Sequence, residues 1–211
     1  MRELLAARRT DGLESAVARA RQTLLITQSI FFLALAVCLL VNHGPVAAND
    51  GISYYGVYVP TMPILFTGYF AAAAGLWWTS TYFTAAGAPP FTRAAFRAIA
   101  IGLIVLLATP YNQGAFLNWT HMTVGVSMAL LQLGSSILLL RRWRTVGSTL
   151  GFSTQLAGGV LGALSLPNWH FTWLLQSECL FELGFGWCLL EWTFALRSRR
   201  FGSAEGVHAA L

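Results

Sequence analysis

Six apolar runs separated by short polar joins organise the chain. They extend from about Thr23 to Val41, Gly56 to Thr79, Ala94 to Thr109, Asn118 to Leu140, Ser148 to Leu166 and His170 to Leu196. A helix needs roughly 20 apolar residues to cross a bilayer. The pattern therefore predicts an all-α polytopic membrane protein, a bundle of six transmembrane helices. The second run contains Pro60 and Pro63, the one sign of a broken helix. Residues 1–22 form a polar, arginine-rich segment, in which Glu14 to Arg21 reads as a short amphipathic helix on the membrane surface. No small-residue cleavage site closes the first run, so it does not read as a signal peptide. A polar loop, NHGPVAANDGISYY, spans Asn42 to Tyr55, and residues 197–211 form a short tail. The expected organisation is a segment 1–22, a transmembrane domain 23–196 and the tail.

Charge then orients the bundle. Arg2, Arg8, Arg9, Arg19 and Arg21 precede the first run, and Arg93 and Arg97 fall between the second and third. Arg141, Arg142 and Arg144 lie between the fourth and fifth, and Arg197, Arg199 and Arg200 follow the sixth. The joins after the first, third and fifth runs carry none. Basic residues are retained on the cytoplasmic side of short loops, so both termini are expected in the cytoplasm. Aromatic residues repeat the message: Trp77, Trp78, Trp143 and Trp192 fall near the inner ends, and Tyr54, Tyr55, Tyr111, Trp119 and Trp169 near the outer ones.

Composition narrows the class. Of 211 residues, 56% are hydrophobic and 10% charged, and the mean hydropathy is +0.61; a soluble domain carries about a quarter charged residues. All thirteen basic residues are arginine, which excludes a lysine Schiff base and hence a retinal protein. Arginine-only usage with abundant alanine and glycine fits a GC-rich bacterial genome, so a bacterial plasma membrane is the expected location. Topology and anionic lipid account for the net charge of +5, which makes membrane lipid the expected partner and nucleic acid not. Cys38, Cys179 and Cys188 all lie in apolar stretches and read as small buried hydrophobes.

The last run holds the candidate chemistry. SECLFELGFGWCLLEW carries Glu178, Glu182 and Glu191 in an otherwise apolar helix. Glu178 and Glu182 are four apart and share a face. Glu191 lies about half a revolution round and roughly 13 Å deeper, where Arg97, Arg141, Gln28, Gln132 or Gln155 can reach it. An acid at mid-bilayer costs about 2.5 kcal/mol or more, so such groups face the bundle interior. Two carboxylates on one face repel, which leaves one able to keep and donate a proton. His121, in NWTHMTVG, matches the depth of Glu178 and is its expected partner, as ion pair or proton relay. The candidate catalytic set is Glu178, Glu182 and His121. Tyr54, Tyr55, Tyr111, Trp173, Phe181 and Phe185, with Phe171 and Trp187 nearby, are candidates to bind an apolar substrate. His43, His121, His170 and Glu178 lack the spacing of a helical zinc motif, so no metal is expected. No phosphate-binding loop, dinucleotide fingerprint or nucleophile elbow occurs, so no cofactor is expected.

ISYYG after the first run, NWTHMTVG opening the fourth and FELGFGWCLLEW in the last resemble the small six-helix family of DRAM-type autophagy modulators and their bacterial look-alikes. That resemblance implies six spans, cytoplasmic termini and a lipid-handling or regulatory role, and carries no catalytic residues. In size and aromatic content the chain is also similar to small integral-membrane terpene cyclases, which implies a carboxylic acid that protonates an isoprenoid. The leading expectation is a membrane-embedded enzyme acting by acid chemistry on an apolar, isoprenoid-like substrate, because two acids on one deep face are costly to keep for packing alone; a lipid-regulating or accessory protein and a proton-linked transporter are the alternatives. An acid-catalysing membrane enzyme requires a closed aromatic cavity beside a carboxyl. A lipid-regulating or accessory protein requires acids satisfied by neighbouring helices and no sizeable cavity. A proton-linked transporter requires access from both faces and broken helices.

Overall fold

The computed structural model describes residues 2–44, 49–165 and 172–208, with side chains for 12, 14–44, 49–165 and 172–196. The described residues form seven helices: α1 (Arg2–Val41), α2 (Tyr54–Val57), α3 (Met62–Ala85), α4 (Pro90–Ala108), α5 (Ala115–Arg142), α6 (Val146–Leu164) and α7 (Leu174–His208). Trp169, His170 and Phe171 lie outside the described residues. Four stretches are long and apolar enough to cross a membrane: Glu14–Val41, Pro90–Ala108, Ala115–Arg142 and Leu174–Leu196. Helices α3, of 24 residues, and α6, of 19, fall outside these four.

Neighbours in sequence are neighbours in space, as short joins require. Helix α1 packs along α3, α3 on α4, α4 on α5 and α6 along α7, and α7 closes onto α1. The core is apolar, as in a water-soluble protein, but large apolar side chains also cover the outside and several polar ones are buried. Thr79, Ser80, Gln132, Ser135, Ser136 and Gln155 are buried, while Leu33, Leu40, Phe70, Leu130 and Val160 are exposed. An apolar exterior around a partly polar interior is the arrangement that lipid favours, and the chain is an integral membrane protein.

Small residues set the closest approach. A Cβ on Gly158 of α6 would stand 2.5 Å from the Phe181 amide nitrogen and 2.7 Å from the Ser177 carbonyl of α7. Gly184 of α7 abuts the Gln155 backbone from the other side. Dispersion between backbones in such contact is what holds helices together where lipid removes the hydrophobic drive. An aromatic core fills the bundle between Phe83, Phe96, Phe185 and Trp192, with Phe83 and Trp192 ring centroids 4.2 Å apart. Trp143 joins it 5.0 Å from Trp192. Both tryptophans are buried, so they serve the core and not the interfacial belt expected for them.

Four boundaries differ from the sequence pattern: α3 runs on to Ala85 and α7 to His208, and the starts of α1 and α3 are moved. The segment 2–22 is continuous with the first apolar run in one helix. Ala16, Val17, Ala20 and Leu24 form a buried stripe against the bundle, and Arg21 lies over the Phe194 ring at 4.1 Å. A helix lying flat on the surface would bury no such stripe. The second run does not begin at Gly56. Pro60 falls in the turn before α3 and Pro63 in its first turn, where a missing N–H costs no helical bond. The prolines thus start a helix and break none.

Candidate functional site

Between α1 and α3 the chain doubles back as a short strap, Asp50 to Tyr58, that includes α2. Gly51 (φ 73°) makes the first bend, a conformation that costs a side-chain-bearing residue about 1–2 kcal/mol. The turn is closed by Tyr54 N–H to Gly51 C=O (3.2 Å) and Tyr55 N–H to Ile52 C=O (3.1 Å). That leaves the Ile52 N–H pointing away from the strap, with no backbone partner to satisfy it.

Glu178 of α7 supplies that partner. The Ile52 N–H donates to Glu178 Oε2 at 2.6 Å. The carboxylate also fills the space where a Cβ of Gly51 would be, 2.5–2.9 Å from that position. Glycine is needed twice here, for its φ and for its missing side chain. The next residue, Ser53, has its Oγ 2.8 Å from His121 Nε2 on α5, and His121 Nδ1 lies 2.7 Å from the Thr109 carbonyl. A carbonyl only accepts, so Nδ1 carries the hydrogen and, in the neutral ring, the Ser53 hydroxyl donates to Nε2.

Further bonds fasten the strap at both ends. Tyr111 OH donates to Asp50 Oδ2 (2.8 Å), Asn42 Nδ2 donates to Tyr54 OH (2.9 Å) and Tyr55 OH donates to the Asn42 carbonyl (2.8 Å). Thr61 Oγ1 donates to the Tyr55 carbonyl at 2.9 Å. Ile52 and Tyr55 are buried, and Tyr54 stacks on Tyr58. Burial pushes the Tyr55 phenol up to about 12. Burial, then the bond to Asp50, holds the Tyr111 phenol well above the usual phenol range. The strap therefore ties the end of α1, the α4–α5 join, α5 and α7 together.

Glu182 lies one turn further along α7. Gln132 Nε2 of α5 donates a bifurcated bond to both its oxygens, each at 3.1 Å. Tyr69 of α3, buried, lies within electrostatic reach of both Glu178 and Glu182. Glu191 is held elsewhere. Thr145 Oγ1 donates to Glu191 Oε2 at 3.1 Å, and the carboxylate packs on Gly147. Thr145 and Ser148 form the capping box of α6, so Glu191 brings negative charge to a helix N-terminus, where it is favoured.

The structure thus brings Glu178 and His121 to consecutive residues of one strap rather than to each other. It gives Glu182 the glutamine expected to serve Glu191. Arg97 instead lies over the Trp77 ring at 4.6 Å, and Gln28 Oε1 lies against Gly186. The expected aromatic lining does not gather round the acids. Trp173 is 54% exposed, Phe181 packs against Gly158 and Gly159, and Phe185 packs edge-on to Phe96. Tyr54, Tyr55 and Tyr111 are engaged in the strap. A cavity of about 20 Å³, bordered by Ser53, Leu65, Tyr69, Leu107 and His121, lies beside it.

No group of three or more metal-binding side chains occurs among the described residues. The three cysteines are free, and Cys38 and Cys188 are buried, their thiols 3.8 and 3.7 Å from the Thr61 and Ser148 carbonyls. Sequence reasoning passed over Asn42, Gly51, Ser53 and Thr109, whose roles arise only once the strap folds inward. Asp50-Gly51 is a turn signal in the sequence, but a turn signal alone does not tell that the glycine makes room for a carboxylate. Gln155 is 0% exposed with neither amide atom hydrogen-bonded among the described residues. In comparisons with known protein families, curated proteins and solved structures, the chain matches none of them.

Proposed function

We propose that the chain is a six-span membrane protein with both termini in the cytoplasm, and that it acts as a non-catalytic, lipid-regulating or accessory protein. In this reading Glu178 and Glu182 are internal polar clamps: Glu178 latches the outer strap, and Glu182 couples α7 to α5. The observation that carries it is the 2.6 Å bond from the Ile52 amide to Glu178, made where Gly51 leaves room for the carboxylate. Leaving the Ile52 N–H without this acceptor would cost about 1–3 kcal/mol, so the bond offsets part of the cost of placing an acid at that depth. Exposed apolar side chains on α3 (Phe70, Trp77, Trp78) and α6 (Leu150, Leu156, Val160) support counting both as spans.

Acid catalysis on an isoprenoid is less well supported. It needs a roomy space beside a carboxyl, and the cavity at the strap, about 20 Å³ and large enough for about one water, is bordered by neither Glu178 nor Glu182. Transport is weakened by the position of Pro60 and Pro63, which interrupt no helix.

Glu178→Gln and Glu178→Ala, purified in detergent, test the proposal when thermal stability and co-purifying lipid are recorded together. Alanine, which cannot accept the Ile52 bond, should cost about 2 kcal/mol, and glutamine less, with co-purifying lipid unchanged in kind. Full stability in Glu178→Ala, together with an apolar compound that accumulates in Glu178→Gln, would favour the enzyme instead.

A further inference from the structure

At the opposite end of the bundle from the strap, a cavity of about 330 Å³ opens between the start of α4 and the end of α5. Pro89, Phe91 and Thr92 line it from α4, and Ser135, Leu138, Leu139, Arg141 and Arg142 line it from α5. Its chemistry is graded by depth. Arg141 and Arg142 are exposed at the rim, and Arg142 is braced over the Trp143 ring at 4.9 Å. Leu138, Leu139 and Phe91 form apolar walls. Ser135 lies six residues before Arg141, roughly 9 Å further along the helix axis. Its side chain is buried at 1% exposure, and its hydroxyl has no hydrogen-bond partner among the described residues.

An unpartnered hydroxyl in an apolar wall costs free energy, and two guanidinium groups at its mouth attract an anion. We infer that this cavity binds one anionic glycerophospholipid, its phosphate on Arg141 and Arg142, its glycerol ester carbonyl accepting from Ser135, and an acyl chain along Leu138 and Phe91. Guanidinium suits a phosphodiester because its planar fork donates two parallel bonds. The deep hydroxyl selects a lipid over a free phosphate, which would leave Ser135 unsatisfied. Basic pockets between spans on the cytoplasmic side are where such headgroups dock. The inference deepens the lipid-regulating reading and rests on it for the side of the membrane. The cavity and the strap are at opposite ends, so a failed test here leaves the Glu178 latch standing.

The full chain in detergent is titrated with dioleoyl phosphatidylglycerol, dioleoyl phosphatidylcholine and inorganic phosphate, and binding is read by native mass spectrometry and by the shift in thermal midpoint. Phosphatidylglycerol should bind at least about tenfold more tightly than phosphatidylcholine, whose choline cation is repelled by the two guanidinium groups, and than inorganic phosphate, which has no ester carbonyl for Ser135 and no acyl chain for the apolar walls. The double variant Arg141→Gln/Arg142→Gln should remove that preference. Ser135→Leu, which keeps both arginines but fills the cavity, should also lose the lipid. Ser135→Ala deletes an unsatisfied group, so it should fold at least as stably as the parent and bind phosphatidylglycerol more weakly. Equal binding of phosphatidylcholine, inorganic phosphate that binds as tightly as the lipid, or undiminished binding in Ser135→Leu would each overturn the proposal.

Discussion

Gly51 shows how much one residue settles here. Gly51→Ala must place a side chain at φ 73° and displace the Glu178 carboxylate. Gly87→Ala meets only the first demand, since Gly87 has φ 82° but open space around its Cβ position. Backbone strain costs each about 1–2 kcal/mol, and Gly51→Ala should lose more, because it also breaks the Ile52 bond. Thermal unfolding of the two variants side by side reads the difference, and equal losses would mean that the carboxylate is not seated on the glycine. At this scale the sequence was half legible. Glu178 and Glu182 stood out because acids in an apolar run are costly, and His121 because its depth matched. Their partners were illegible, because Ile52 and Gln132 lie 126 and 50 residues away in the chain. A backbone N–H, moreover, leaves no mark in residue type.

Elements were more legible than contacts. The apolar runs located most helix ends to within a few residues, apart from the starts of α1 and α3 and the ends of α3 at Ala85 and α7 at His208. Pro60 and Pro63 moved the start of α3, and the stripe Ala16, Val17, Ala20, Leu24 drew residues 2–22 into α1. Trp143 and Trp192 looked like belt residues because depth along a helix says nothing about which face is turned inward. The α6–α7 seam makes a sharp prediction. Gly158→Ala puts a methyl group against the α7 backbone and should cost about 1–3 kcal/mol, the usual range for overpacking. Gly159→Ala would meet Phe181 ring carbons at 3.5 Å, an ordinary contact, and should be tolerated. Equal effects would contradict the seam. The strap predicts a pH dependence with a definite sign. Tyr55 is raised to about 12 and Tyr111 is raised as well, while an unfolded tyrosine titrates near 10. Folded strap therefore keeps protons that unfolded chain releases. Its stabilisation is fully present below about pH 10 and is lost as pH climbs through the folded values. Stability measured against pH should fall less steeply above pH 10 in Tyr111→Phe than in the parent; superimposable curves would sink this.

The whole molecule places an apolar surface outside and much of its polar chemistry at two ends of one bundle. A strap with its latch closes one end, and a basic cavity opens at the other. Membrane class and helix content were legible because composition and hydropathy are sums over many residues and tolerate local error. The site was not, because it depends on a loop that folds back into the bundle and on hydrogen bonds across it. The claim on which the account turns is that Glu178 holds the strap closed. Hydrogen–deuterium exchange over residues 50–58, in parent and Glu178→Ala, tests it most directly. If Glu178 is the latch, the Ile52 amide exchanges slowly in the parent and about 10- to 100-fold faster in the variant, the equivalent of leaving one buried N–H without its acceptor. Exchange that is fast in both proteins, or unchanged by the substitution, would show that the strap is held by something else and would leave Glu178 without the role assigned to it.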